Sequence, residues 1–195
     1  MKVIGLCGGS GAGKGTVCSV FAEFGIKSID TDKLYHTLIS TDSECTRELI
    51  DAFGDGINAH PGIDRRALRD IVFSSSDKLN LLNTITHKHI LSALRALISE
   101  SKEAPAIIVD APLLFESGFN KECDVTVCVV ADDDVRVNRI TKRDGVTPEV
   151  ARTRISSQIS NGDLIKACDY AIENNSTVSE LRDRVTELFI KLFNN

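Results

Sequence analysis

A lysine and a threonine hydroxyl close a run of glycines, Gly8-Gly9-Ser10-Gly11-Ala12-Gly13-Lys14-Gly15-Thr16, and this stretch has the chemistry to hold a polyphosphate. Such an anion needs many N–H donors converging on it with no side chains in the way, and glycines permit both. The expected contacts run from Gly9, Ser10, Gly11, Ala12 and Gly13 through Gly15 and Thr16, with Lys14 as a point charge on the outer phosphates. The spacing from Gly8 fits G-x-x-x-x-G-K-[ST] up to Lys14, but Gly15 stands where the pattern places a hydroxyl. A nucleotide-bound Mg²⁺ must then be held through waters or a carboxylate.

Three aspartates could serve. Asp30 and Asp32 follow the alternating Ile26-Lys27-Ser28-Ile29, and alternation puts both on one side of a strand's carboxyl end. There a carboxylate can take a proton from an attacking hydroxyl or hold waters of a magnesium shell; it can equally cap the helix starting near Lys33. Asp110 ends the apolar run Ala106-Ile107-Ile108-Val109 and could hold a metal-bound water in the same way. Arg136, Arg139 and Arg143 recur on one helical face, a lid that closes over phosphates or a solvated face paired with Asp132, Asp133, Asp134 and Asp144. His87 could line a substrate groove or sit on the surface; with His89 it makes a poor metal pair, because residues two apart face different sides of a helix. Asn174, in a turn after a strand, could offer its amide to an adenine edge.

The elements that must position these groups follow from period and punctuation. Val3 to Cys7 reads as a buried strand, and Val17, Val20, Phe21 and Phe24 recur at helical spacing after the glycines. The helix would aim its unsatisfied N-terminal N–H groups and positive dipole end at the anion. From Lys33 to Ser101 the pattern is helical throughout, with Asp64 placed to cap one helix. Further strands are expected over Ala106 to Asp110, Asp124 to Val130 and Asp169 to Glu173, and Leu181, Val185, Leu188, Phe189 and Leu192 mark an amphipathic closing helix.

With 195 residues and 42% hydrophobic content, the chain can bury one core and carry an inserted subdomain. A net charge of −5 argues against nucleic acid as partner. The six cysteines are scattered without C-x-x-C pairs and read as reduced thiols, neither a disulfide framework nor a zinc site. Met1-Lys2 leads directly into the first strand, and no apolar run approaches membrane-spanning length, so a cytoplasmic location with no membrane partner and no obligate protein partner is expected.

The Gly-Lys-Gly-Thr ending resembles the loop of adenylate kinases, and taken with the other motifs the chain resembles the dephospho-coenzyme A kinases along essentially its whole length. The stretches that carry this are the glycine loop, Ile29 to Asp32, Asp64-Arg65-Arg66-Ala67-Leu68, Leu82-Asn83 to His87, Pro112-Leu113-Leu114-Phe115-Glu116, Arg139 with Arg143-Asp144, Arg154 to Gln158, and Asp169 to Asn174. The resemblance implies an α/β, three-layer P-loop kinase fold: a central, mostly parallel five-stranded sheet flanked by helices, with a core over about 1–32, 103–135 and 165–195. It further implies a coenzyme-binding helical insertion over about 33–102 and a lid over about 136–164. The implied reaction moves the γ-phosphate of ATP, with Mg²⁺, to the ribose 3′-hydroxyl of dephospho-coenzyme A.

By resemblance Asp32 is the general base, Lys14 and the loop hold phosphate, Arg139 and Arg143 belong to the lid, and Asn174 lies on the adenine side. His87 and the turn with Pro112, Leu113, Leu114 and Glu116 lie on the acceptor side. Asp110 or Asp32 would face the metal through water. The chain departs from the family pattern at Gly15 and at Lys88, where the family has proline after histidine. A kinase of the nucleoside monophosphate type and a non-catalytic nucleotide sensor are the alternatives.

Overall fold

Strand β1 (Lys2–Cys7) lies at the middle of a five-stranded sheet with the order β2 (Lys27–Asp30), β3 (Ala106–Asp110), β1, β4 (Val125–Val130) and β5 (Tyr170–Glu173). In this computed structural model, which describes residues 1–193, the pairings of β1 with β3 and β4, and of β4 with β5, are all parallel. Parallel strands buried on both faces read as unbroken apolar runs, which is why Ile107 to Val109 and Val127 to Val130 show little alternation. The chain leaves β1 for β2 on one side and later crosses to β4 on the other, so the carboxyl end of β1 lies at a switch point, where open α/β sheets bind ligands.

The chain divides into two compact units. The first comprises residues 1–29 and 103–195. Its core packs the sheet against α1 (Lys14–Glu23) and α9 (Val178–Phe193) through Val17, Val20 and Phe21 from one helix and Leu181, Val185 and Leu188 from the other. Within the same unit, α6 (Asp133–Asp144) and α7 (Pro148–Ser156) bury Val137, Ile140, Ala151 and Ile155 between them. Gly145 ends α6 in the left-handed conformation, and the Thr147 hydroxyl accepts from the Val150 N–H with Pro148 opening α7.

The second unit, residues 30–102, is built from α2 (Thr31–Ser40), α3 (Glu44–Phe53), α4 (Arg65–Val72) and the long α5 (Ser76–Glu100). Ile39, Leu49, Leu68 and Ile85 form its own core. Asp64 caps α4 as its spacing predicts, accepting from the N–H groups of Arg66 and Ala67. Lys88, one of the two departures, does not interrupt α5, which continues through it. Its ammonium and His89 Nε2 both reach Glu48 on α3, at 2.8 and 2.6 Å, and the two hold that carboxyl below its ordinary range.

Candidate active site

The glycine loop joins β1 to α1, as its sequence predicts, and its hydrogen bonds show how it is held open. Arg139 donates to the carbonyls of Gly11 and Ala12 at 3.3 and 3.5 Å, and the Asn174 amide donates to the Ala12 carbonyl at 2.7 Å. Among the described residues, the N–H groups of Gly11, Gly13, Lys14 and Gly15 find no protein acceptor. Carbonyls bound on one side and amides left open at the start of α1 make an anion nest, with the helix dipole adding to it. Lys14 Nζ donates to the Gly8 carbonyl at 3.0 Å, curled over the loop, and lies 4.0 Å from Asp110 Oδ1.

Arg136 is the second brace. Only 2% exposed, it sends Nε to the Ser10 carbonyl at 3.0 Å, Nη2 to Gln158 Oε1 at 2.8 Å and Nη1 to Asp133 at 3.2 Å. Gln158 in turn accepts from the Ser10 N–H at 3.0 Å and donates to the Ser10 hydroxyl at 3.2 Å. The arginine stripe therefore splits by depth. Arg136 is built into the back of the loop, Arg139 lies along it, and Arg143 is exposed and bound to Asp144 together with Arg154. These two guanidiniums, Arg143 first, hold the Asp144 carboxyl far below its usual range. Helical spacing put Arg136, Arg139 and Arg143 on one face but carried no information on which would be buried. Gln158 lay in a motif stretch without a role, because a lone amide past a helix end carries no signal until its partner is known.

Three expectations need correction. The strand β2 ends at Asp30 and the helix begins at Thr31, so Asp30 and Asp32 are not alternating strand residues sharing one side. The Asp30 carboxylate caps α2 by accepting from the Lys33 N–H, the structural role open to it from the start, while Asp32 is exposed in the first helical turn. Leu114 does not face an acceptor. It is fully buried against Gly5 of β1 and anchors the turn, leaving Pro112, Leu113 and Glu116 exposed. Asn174, 5% exposed, spends its amide on Ala12 and receives Arg139 at 3.2 Å, so its side chain supports the loop where an adenine contact was expected.

The glycine positions divide accordingly. Gly13 has φ +104°, and a Cβ there would stand 2.2 Å from Asn174 Nδ2, whereas a Cβ at Gly15 meets nothing within 4 Å. Gly13→Ala is expected to lose about 1–2 kcal/mol from the backbone alone, and Gly15→Ser to stay within about 0.5 kcal/mol of the parent. Thermal unfolding of the two variants checks the contrast.

Asp110 places a carboxylate at the end of β3, beside Lys14 and in the same unit as the loop. Among the described residues no cluster of three or more His, Cys, Asp or Glu could hold a metal by itself. That donor set fits Mg²⁺, which binds through one or two carboxylates plus substrate phosphates rather than in an all-protein cage.

The profile of the dephospho-CoA kinase family matches residues 2–180. The chain belongs to the dephospho-CoA kinase family. Its relatives in that family include the dephospho-CoA kinase of Fusobacterium nucleatum, 42% identical over 186 residues that cover 95% of each chain. The solved dephospho-CoA kinase of Campylobacter jejuni superposes with a TM-score of 0.72 at 26% identity over 98% of both chains. A shikimate kinase from Acinetobacter baumannii shares the fold, with a TM-score of 0.55 at 19% identity over 100% of this chain and 94% of that one. Family membership makes this braced loop the nucleotide site of a P-loop kinase of coenzyme A biosynthesis.

Proposed function

We propose that the protein transfers the γ-phosphate of ATP to the ribose 3′-hydroxyl of dephospho-coenzyme A, giving coenzyme A and ADP. The observation that carries this reading, beside the family, is the nest of open amides at Gly11, Gly13, Lys14 and Gly15 with the Lys14 side chain curled across it. ATP would lay its β- and γ-phosphates on those amides, and Lys14 would leave the Gly8 carbonyl for the phosphate oxygens. Mg²⁺ at Asp110 would neutralise charge on the phosphoryl oxygens. Asp32 takes the proton of the 3′-hydroxyl as its oxygen attacks phosphorus and ADP leaves.

Arg139 and Arg136 keep the loop in shape, and Arg143 belongs to a lid formed over about 136–164. The family resemblance supports His87 in the helical unit, and Pro112, Leu113 and Glu116, exposed in the sheet unit, as residues of the acceptor side. Support for a long acceptor comes from a cavity of about 510 Å³ in the helical unit, lined by Tyr35, Arg65, Arg66, Val72 and Phe73 among others. Apolar walls suit an extended thiol-bearing arm, and arginines suit its diphosphate. A cytoplasmic location fits these substrates, and among the described residues no helix is long and apolar enough to cross a membrane.

The test supplies purified protein with ATP, Mg²⁺ and either dephospho-coenzyme A or a panel of nucleoside monophosphates, with products separated by chromatography. Coenzyme A and ADP in equal amounts are expected. Phosphorylation of a monophosphate alone would make the protein the other kind of kinase, and tight ATP binding with no product from any acceptor would make it a sensor.

A further inference from the structure

The tertiary structure gathers three of the scattered cysteines behind the phosphate loop. Cys7 is the last residue of β1 and directly precedes Gly8; Cys128 on β4 is its register partner across the parallel pairing. Cys168 caps the carboxyl end of α8 (Asn161–Ala167), its Sγ 3.5 Å from that of Cys7. Cys7 and Cys128 are 1% and 0% exposed, whereas Cys168 is half-buried and within reach of small molecules. No step of phosphoryl transfer uses any of them.

We propose that Cys7 and Cys168 form a peroxide-sensitive modification site that closes to an intramolecular disulfide and disturbs the phosphate loop. The roles follow from the surroundings. Cys168 is the half-buried sulfur of the group, and hydrogen bonds from Cys128 and Cys7 draw its thiol down from its ordinary range, which makes it the first to react. Cys7 and Cys128 are pushed up, by their hydrogen bonds to Cys168 and then by burial, and keep their protons. Cys168 thiolate attacks one oxygen of hydrogen peroxide, forming a sulfenic acid and releasing hydroxide. The Cys7 sulfur then attacks Cys168 Sγ, the hydroxyl group leaves, and the Cys7 proton goes with it as water. Two thiols are oxidised by two electrons, and one peroxide is reduced.

Closing a 3.5 Å contact to a bond of about 2.05 Å draws the sulfurs together by well over an ångström. The next residue has no slack to absorb this, since a Cβ at Gly8 would stand 2.4 Å from the Val129 carbonyl oxygen. The displacement passes into the Gly8 carbonyl that holds Lys14 and into the amides beyond. A shift of this size at a positioned site costs up to about 10²-fold.

The experiment treats the reduced full-length protein with stoichiometric hydrogen peroxide, alkylates the remaining thiols, digests with trypsin without reduction and maps the products by mass spectrometry. The expected product joins the peptide Val3 to Lys14 with the peptide Ala167 to Arg182, and dithiothreitol releases it. The affinity of the oxidised protein for a fluorescent ATP analogue should fall at least about tenfold and recover on reduction. Cys168→Ser should bind the analogue as the parent does and be unaffected by peroxide. No linked peptide, a link from Cys168 to Cys128, or faster oxidation at Cys18 or Cys123 than at Cys168 would overturn the site. A correctly linked protein with unchanged affinity would overturn its coupling to the loop. None of these readouts depends on the identity of the phosphate acceptor.

Discussion

Asp32→Asn is expected to lower kcat for phosphorylation of dephospho-coenzyme A by about 10²–10⁴-fold, the range for removing a general base, while the affinity for ATP changes little. The amide is isosteric with the carboxylate but does not take up the proton of an attacking hydroxyl. Asp32 is exposed in the first turn of α2, where loss of its negative charge near the helix dipole costs only about 0.3–1 kcal/mol, so the variant folds. Asp30 is the internal control. Its carboxylate accepts from the Lys33 N–H, and Asp30→Asn keeps a capping oxygen, so that variant should retain most of its turnover. Steady-state kinetics of both variants, with ATP affinity measured by titration, decide the assignment. Equal losses from both would mean that the helix start rather than a single base is what matters, and full activity in Asp32→Asn would remove the base role.

Arg136→Met is expected to do the opposite kind of damage. It removes a guanidinium that is 2% exposed, leaves the Ser10 carbonyl without its side-chain donor and leaves Gln158 Oε1 with the Ser10 N–H alone. Asp133 is exposed, so no buried charge is left behind; leaving the Ser10 carbonyl unpaired costs about 1–3 kcal/mol, of which the apolar methionine recovers part through packing. The remaining loop would lose the brace that fixes Ser10, so ATP affinity should fall more steeply than kcat at saturating ATP. Chemical denaturation measures the first effect and a nucleotide titration the second. Gln158→Leu separates the two sources, because it removes the amide from Ser10 while leaving Arg136 bonded to the Ser10 carbonyl. Unchanged nucleotide affinity in Arg136→Met, in a protein that remains folded, would show that the loop keeps its shape without this brace.

Much of the site could be read from the chain because its chemistry is local. Gly8 to Thr16 must be a turn between a strand and a helix, and the open amides at the start of α1 follow from that order alone. Asp64 could be read as a cap because a carboxylate two or three residues ahead of open helical N–H groups has few other uses. The end of β2 was less legible. Alternation from Ile26 does not reveal where extended backbone gives way to helix, and one residue of difference turned Asp30 from a site carboxylate into a cap.

The sequence by itself determined the phosphate loop, the strands that flank it, the helical stretch between the second and third strands, and the family. Each of these rests on neighbours within a few residues or on motif spacing. Only the tertiary structure decided which polar groups stand against which: Arg136 and Gln158 on Ser10, Asn174 and Arg139 on Ala12, Leu114 under Gly5, and Cys7 beside Cys168. Those partners are separated by 109 to 162 positions along the chain and meet through the register of parallel strands, which periodicity does not encode.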